Sequence, residues 1–247
     1  MNLDLNCDLG EGEPLTKTRS LMRWITSANI ACGGHAGDVA TMRACLRTAR
    51  SLGVKVGAHP GAVTRDGFGR GRLQILPDEL ELLLLQQVGT LSQLAAKKGV
   101  RLHHIKLHGS LYHAVEGSRA LAACYIRVTR QTWPRCILYG RAGGLVGRMA
   151  RRAKVQVWEE IFIDRAYHDD GTLVTREEPG ALLLPEESLE RARRLRQSRA
   201  KEIRVIESRT GRLLRLRART LCLHADTPGA IQLAKALAQI LGDSANG

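Results

Sequence analysis

Short apolar runs alternating with stretches of helical periodicity constrain this chain more than any other feature. The runs fall at 2–6, 29–32, 54–58, 101–106, 136–139, 155–158 and 220–224. Helical patterns occupy 37–52, 77–98, 118–130, 144–153, 185–198 and 228–241. Asp38 at the start of the first of these is a side-chain N-cap, and Gly53 after it is a stop signal. The second opens on Pro77 with acids beside it and ends on Lys97, Lys98 and Gly99, the charge order a helix dipole favours. Strict alternation implies a mostly parallel sheet with helices outside it. Seven strands across 247 residues fit an α/β fold, a TIM-like (β/α) barrel of seven strands forming one domain over 1–247. No Pro/Gly/Ser-rich linker, internal repeat or low-complexity tract interrupts it, and the last few residues are expected to trail as a disordered tail. The segment 164–180 lacks apolar periodicity, and ordered loops of that length tend to be functional.

In such barrels the chemistry sits where strands end at their carboxyl side. The first run leads into Asn6 and Asp8, then Glu11; the second into Asn29, Cys32, His35 and Asp38. The third ends at His59, and the fourth carries His104, Lys106 and His108. The sixth leads to Glu159, Glu160, Asp164 and Arg165, and the last to His224 and Asp226. Four strand ends bearing His would converge on one mouth. Asp8, His35, His59 and His104 could there bind a divalent metal or perform acid–base chemistry; no HExxH, CxxC or EF-hand pattern decides between the two. Asp4, Asn6 and Asp8 share one face of their strand, expected to line the barrel interior. By the same alternation His103 is expected to point away from the interior, because its neighbour His104 points in. Glycines cluster at 33–37, 57, 61 and 67–71, where backbone N–H groups could approach an anion beside Arg70 and Lys106. Trp24, Trp133 and Trp158 read as packing residues, and Tyr112 as a residue lining the pocket.

The formal net charge is +14, from 38 Lys and Arg against 24 Asp and Glu. Residues 191–219 hold twelve basic residues against Glu202 and Glu207, a local +10 that leaves +4 for all the rest. A basic segment invites a nucleic-acid reading, but aromatic residues make up only 4% of the chain, so stacking platforms are scarce. Apolar residues mixed with Arg at alternating spacing suggest strands with a solvated basic face suited to an acidic protein partner. Neither nucleic acid nor membrane is expected as a partner: the amino terminus has no basic leader, and the longest apolar run, 82–85, is far too short to span a bilayer. Six scattered Cys read as reduced, buried thiols of a cytoplasmic protein.

The motifs DLNCDLGE at 4–11, SANIACGGHAGD at 27–38, GAHPG at 57–61, GFGR at 67–70 and HHIKLHGSLY at 103–112 stand in order along the chain. The run DRAY…DGTL…R…PGAL at 164–182 and LCLHAD at 221–226 follow. Together they resemble the LamB/YcsF family, that of the 5-oxoprolinase A-subunit. The resemblance implies a barrel related to glycoside hydrolase and deacetylase barrels. It further implies a cytoplasmic enzyme component that cleaves 5-oxoproline to L-glutamate while ATP becomes ADP and phosphate, with partner subunits B and C. This chain departs from the family pattern at Gly34, where Phe is usual, at Leu107, where Pro is usual, and at Ala225, where Gly is usual; the segment between Glu11 and Ser27 is also short.

An unstrained lactam is a poor electrophile, so coupling to ATP fits its opening. Phosphorylation of the lactam oxygen and water attack on the activated carbon would need cations, a base and a carboxylate clamp. Lys106, Arg70 and the glycine loops suit phosphate charge; Asp8, His59 or Glu160 suit the base; Arg165 suits the clamp, since its planar fork matches a carboxylate. Mg²⁺ arriving with ATP would use Asp8 or Asp226. The catalytic candidates are therefore Asp8, His59, Lys106 and Glu160. Substrate or ATP contacts are expected from Asn6, Asn29, His35, Arg70, His104, His108, Tyr112, Arg165, His224 and Asp226. Two other readings remain: a stand-alone metal-dependent carbohydrate deacetylase or hydrolase, and a non-enzymatic basic binding protein.

Overall fold

A computed structural model describes residues 3–197 and 202–242. The expected tail and the end of the 185–198 helix lie outside the described residues. Seven strands close into a parallel barrel: β1 (Asp4–Leu9), β2 (Ser27–Ala31), β3 (Lys55–His59), β4 (Leu102–Ile105), β5 (Ile137–Arg141) and β6 (Val157–Phe162), with β9 (Thr220–His224) pairing both β6 and β1. Helices α1 (Leu15–Met22), α2 (Val39–Leu52), α3 (Pro77–Ala96), α4 (Gly109–Gly117), α5 (Arg119–Thr132), α6 (Leu145–Arg152), α7 (Pro185–Gln197) and α8 (Ala230–Gly242) surround it. Between α7 and β9 an antiparallel hairpin, β7 (Ile203–Glu207) and β8 (Leu213–Arg217), stands apart from the barrel sheet. None of the described helices is long and apolar enough to cross a membrane.

Caps fall where the residue types put them. Asp38 accepts from Thr41 N at 2.7 Å, and Gly53 closes α2 with a φ of 69°. Ser118 accepts from Leu121 N at the start of α5. Two strands run further than apolar content alone suggests. β1 continues to Leu9 and β6 to Phe162, so Asp8 and Glu160 lie within strands. A barrel interior accepts polar side chains at every second position, and a polar residue there does not end the strand. Helices α1 and α4 also lack a sequence signal; α1 has eight residues with three buried, and α4 is bounded by glycine at both ends.

His103 corrects the alternation argument. Val56 pairs with Leu102 but Gly57 pairs with His104, so β4 carries one extra residue at a bulge. Two adjacent residues then share a side, as bulges allow. The Nδ1 atoms of His103 and His104 stand 3.1 Å apart, and the His103 ring meets Trp158 edge-on at 5.1 Å.

The barrel interior is layered. At the base Asp4 accepts hydrogen bonds from Thr26, Ser27, Tyr139 and Thr220. Above it the His104 ring stacks on Tyr139 at 4.0 Å and donates Nε2–H to Asn29 Oδ1 at 2.6 Å. That ring occupies the space a side chain at 57 would need: a Cβ there would lie 2.0 Å from His104 Nε2. Gly57→Ala is expected to cost ~1–3 kcal/mol as an overpacked core does; urea unfolding showing no loss would contradict this packing.

The basic segment folds as α7 and the hairpin. Arg191 is not a surface charge: it donates to Phe162 O and Arg165 O. Arg194 pairs with Glu190 and Glu207, Arg209 with Glu178, and Arg217 with Glu202. All six Cys are buried and free.

Candidate active site

The barrel mouth holds a cavity of about 320 Å³, with Asp8, His59, Lys106 and His108 on its floor and Arg70, Arg165, Arg176 and His224 in its walls. Its floor is built around one ammonium group. Lys106, one residue past β4, sends Nζ into the interior to within 3.1 Å of Asp8 Oδ1, 3.1 Å of Glu160 Oε2, 3.2 Å of Asn6 Oδ1 and 2.9 Å of Cys222 Sγ. Asn29 reinforces this by donating to Asp8 Oδ1 and Asn6 Oδ1, both at 2.7 Å. Burial works against the lysine's proton, but the Asp8 carboxylate, the Cys222 sulfur that accepts from Nζ and the Glu160 carboxylate raise it well above its ordinary range. Burial likewise works against the Asp8 carboxylate, and His59 with Lys106 holds it well below the usual range. An ion pair this deep forms only because each charge has several partners.

Beside Lys106 lies a cluster of four. His59 Nε2 is 3.4 Å from Asp8 Oδ2 and 3.4 Å from Glu11 Oε1. Glu11 Oε1 is also 2.8 Å from His35 Nε2 and 3.1 Å from His108 Nδ1. The His35 and His108 rings stack at 3.6 Å. Glycine makes room for them, since a Cβ at Gly61 would lie 2.3 Å from His35 Nδ1. At Gly57, Gly61 and Gly69 the missing side chain leaves room for a histidine ring. Gly34 is explained by Gln87 of α3, whose amide grips Gly61 N and O and would stand 2.5 Å from a Cβ at 34. Burial pushes His35 down to about 4 despite its Glu11 contact. For His59, burial is outweighed by Asp8 and Glu11, which raise it to about 9.

The opposite wall is set by Asp164, two residues past β6. It accepts from His224 N, His224 Nδ1 and Thr227 Oγ1. Burial works to raise its carboxyl, but the His224 ring and these hydrogen bonds hold it at about 2. The folded state therefore favours the ionised form. That stabilisation, ~2 kcal/mol, is present above the unfolded value near 3.9 and fades as pH falls towards about 2. The stability gap between wild type and Asp164→Asn should shrink over that interval in urea titrations; a gap independent of pH would refute it.

Not every sequence candidate reaches the cavity. Asn6, Asn29, His104 and Glu160 are buried beneath its floor, and His35 lies behind His108. Glu160 meets Lys106 from below, so it holds the ammonium and is not placed to serve as a base for water. His104 stands apart from the other metal candidates because its inward nitrogen already bonds Asn29. Asp226 is gripped by both Arg176 nitrogens, at 2.7 and 3.1 Å, and by Arg70 at 3.2 Å, which leaves it poorly suited to Mg²⁺. Tyr112 lines the cavity; its hydroxyl, Glu160 Oε1 and Arg165 Nε are buried without a hydrogen-bond partner. Residues outside the candidate set also belong to the site, among them Glu11, Asp164, Arg176 and Cys222. Glu11 closes the DLNCDLGE motif and is open to inference from it; Cys222 sits in an apolar run, and Arg176 in a loop without pattern.

A closed parallel barrel that gathers Asp, Lys and His from its strand ends into one cavity is an enzyme-type (β/α) barrel, with its polar groups where that architecture places chemistry. The chain matches the LamB/YcsF family model over residues 3–246 and belongs to that family. It is 38% identical over 236 residues to the 5-oxoprolinase A-subunit of Bacillus licheniformis, covering 94% of this chain and 92% of that one. Identity is also 38% over 238 residues to the Bordetella pertussis protein of the same name, covering 95% and 93%. Among solved structures, the lactam utilization protein of Thermus thermophilus superposes with a TM-score of 0.87 at 34% identity, over 98% of this chain and 97% of that one. A family 4 carbohydrate esterase from Streptomyces lividans shares the fold alone, with a TM-score of 0.50 and 9% identity, over 98% and 89%.

Proposed function

We propose that this chain is the A-subunit of an ATP-dependent 5-oxoprolinase. Together with subunits B and C it opens 5-oxoproline to L-glutamate while ATP is hydrolysed to ADP and phosphate. Relatives bearing the 5-oxoprolinase name over nearly the whole length support the reading. In the geometry, one observation carries it: a buried ammonium, Lys106, shares the cavity floor with the Asp8 carboxylate at 3.1 Å, under walls bearing Arg70, Arg165 and Arg176.

The substrate is a small ring with one carboxylate and one unreactive carbonyl, and a cavity of about 320 Å³ admits it. Arg165 presents its buried guanidinium to the carboxylate; Nη2 is committed to Val174 O at 2.6 Å, while Nε has no partner. Lys106 places positive charge where the lactam oxygen gains negative charge, the electrostatic contribution that usually weighs most. Asp8, kept ionised, accepts the proton of the attacking water. His59 supplies a second positive charge beside Asp8. ATP enters as co-substrate with Mg²⁺, its phosphate charge met by Arg70 and Arg176. The terminal phosphoryl group passes to the lactam oxygen, water adds to the activated carbon, and the ring C–N bond breaks with a proton delivered to nitrogen, leaving γ-glutamyl phosphate; a second water then releases glutamate and phosphate. The same reading places the protein in the cytoplasm, where ATP is supplied and where six free, buried thiols persist.

The test is glutamate release from 5-oxoproline by the purified chain with and without B and C, with and without ATP. Release only in the complete mixture is expected. A second reading, a stand-alone metal-dependent carbohydrate hydrolase, is motivated by the Glu11/His35/His59/His108 cluster. Deacetylation by the chain alone, without ATP, would establish it and overturn the first.

A further inference from the structure

Glu11, His35, His59 and His108 are arranged as acceptors facing one point. His59 Nδ1 stands 2.8 Å from the Lys106 carbonyl, and His108 Nε2 stands 2.9 Å from the Phe68 carbonyl. A carbonyl only accepts, so both of those ring nitrogens carry hydrogen. In the neutral rings the other nitrogens, His59 Nε2 and His108 Nδ1, are therefore lone pairs. They approach each other to 3.1 Å, and both face Glu11 Oε1, at 3.4 and 3.1 Å. Lone pairs and a carboxylate oxygen this close repel unless a cation lies among them: a proton on His59 when no metal is bound, or a metal ion that displaces that proton. His35 brings a third imidazole to Glu11 at 2.8 Å, and its Nδ1 is buried without a partner.

We propose that Glu11 Oε1, His35 Nε2, His59 Nε2 and His108 Nδ1 bind one divalent transition-metal ion of the Zn²⁺ type. The four atoms lie within 4.8 Å of one another. Ligands about a tetrahedral ion at ~2.0–2.1 Å are separated by ~3.3 Å; the three Glu11 contacts and the His59–His108 contact run from 2.8 to 3.4 Å. The carbonyls of Lys106 and Phe68 hold the outer ring nitrogens, as partners of metal-bound histidines do, and so direct the inner ones. Three imidazoles and one carboxylate favour a borderline ion over Mg²⁺ or Ca²⁺, which prefer oxygen throughout. His59 and His108 also line the cavity, so the ion would border the space assigned to the substrate. The site stands independently of the 5-oxoprolinase reading, because it rests on the four side chains alone.

The experiment uses the full chain, stripped with a chelator, then dialysed against Zn²⁺ or Co²⁺ and analysed for metal. One ion per chain, a tetrahedral Co²⁺ absorption band and a raised melting temperature are expected. His108→Ala and Glu11→Gln should each weaken binding by about tenfold or more. Cys222→Ser should leave it unchanged, which separates this site from the neighbouring group Asp8, Cys222 and His224. Circular dichroism of each variant without metal reports whether it is folded. Only traces of metal after dialysis would overturn the proposal. So would binding that survives in folded His108→Ala and Glu11→Gln, or binding lost in Cys222→Ser alone. ATP-dependent glutamate release plays no part in these readings, so failure of the functional assignment would be seen separately.

Discussion

Lys106→Met is expected to abolish glutamate release and to lower stability by ~3–5 kcal/mol, the usual cost of leaving buried charge uncompensated. Methionine fills similar volume, so the loss comes from charge and not from a cavity. Asp8 and Glu160 both face Nζ at 3.1 Å and would be left buried with no cation between them. Adding Glu160→Gln to Lys106→Met should recover part of the stability, since one of the two carboxylates is then neutral. It should recover none of the turnover, because Lys106 and not Glu160 reaches the cavity. Lys106→Arg should not restore function either: a planar guanidinium does not fit where one compact ammonium meets four partners. Chemical denaturation and reconstituted turnover measure the two effects separately. A stable, active Lys106→Met would remove the centre of the proposed site.

Asp8→Asn is expected to reduce kcat by ~10²–10⁴ with KM little changed, the range for loss of a positioned base, and also to lower stability, because Lys106 and His59 lose a buried counter-charge. The substitution is isosteric. An amide oxygen at Oδ1 can still accept from Asn29 at 2.7 Å and from Lys106 at 3.1 Å. What disappears is the charge and the capacity to take a proton. A purely structural role would instead lower stability or raise KM while the folded complex kept its kcat. Retention of most of kcat in the reconstituted complex would reassign the base.

Much of this site is legible in residue order alone. Asp4, Asn6 and Asp8 share a strand face by a rule that needs no partner, and the interior they line is where they stand. His59, Lys106 and His108 are marked by their places at strand ends, and each reaches the cavity. The readings that fail depend on register or depth. Alternation places His103 and His104 on opposite sides, but a one-residue bulge between β3 and β4 brings both rings inward. Asn29 and His104 follow the same polar-end logic as His59, yet they lie a layer deeper, where they bond each other. Depth is set by strand tilt and stagger around a closed barrel, which no local pattern records. Glu11 has a visible carboxylate; only the convergence of three loops from separate strands makes it the common partner of three histidines.

The sequence by itself determined the class of fold: period-two apolar runs alternating with helical repeats leave few ways to bury both faces of a parallel sheet. It also determined which end of the barrel carries the polar groups, and that the excess positive charge is local. Tertiary structure alone decided which polar groups meet. Lys106 and Cys222 are 116 residues apart in the chain yet 2.9 Å apart at the floor, because closing β9 onto β1 and β6 curls the sheet into a ring. A charge is stable there only with partners from several strands at once, and that count is a property of the closed barrel and not of any segment.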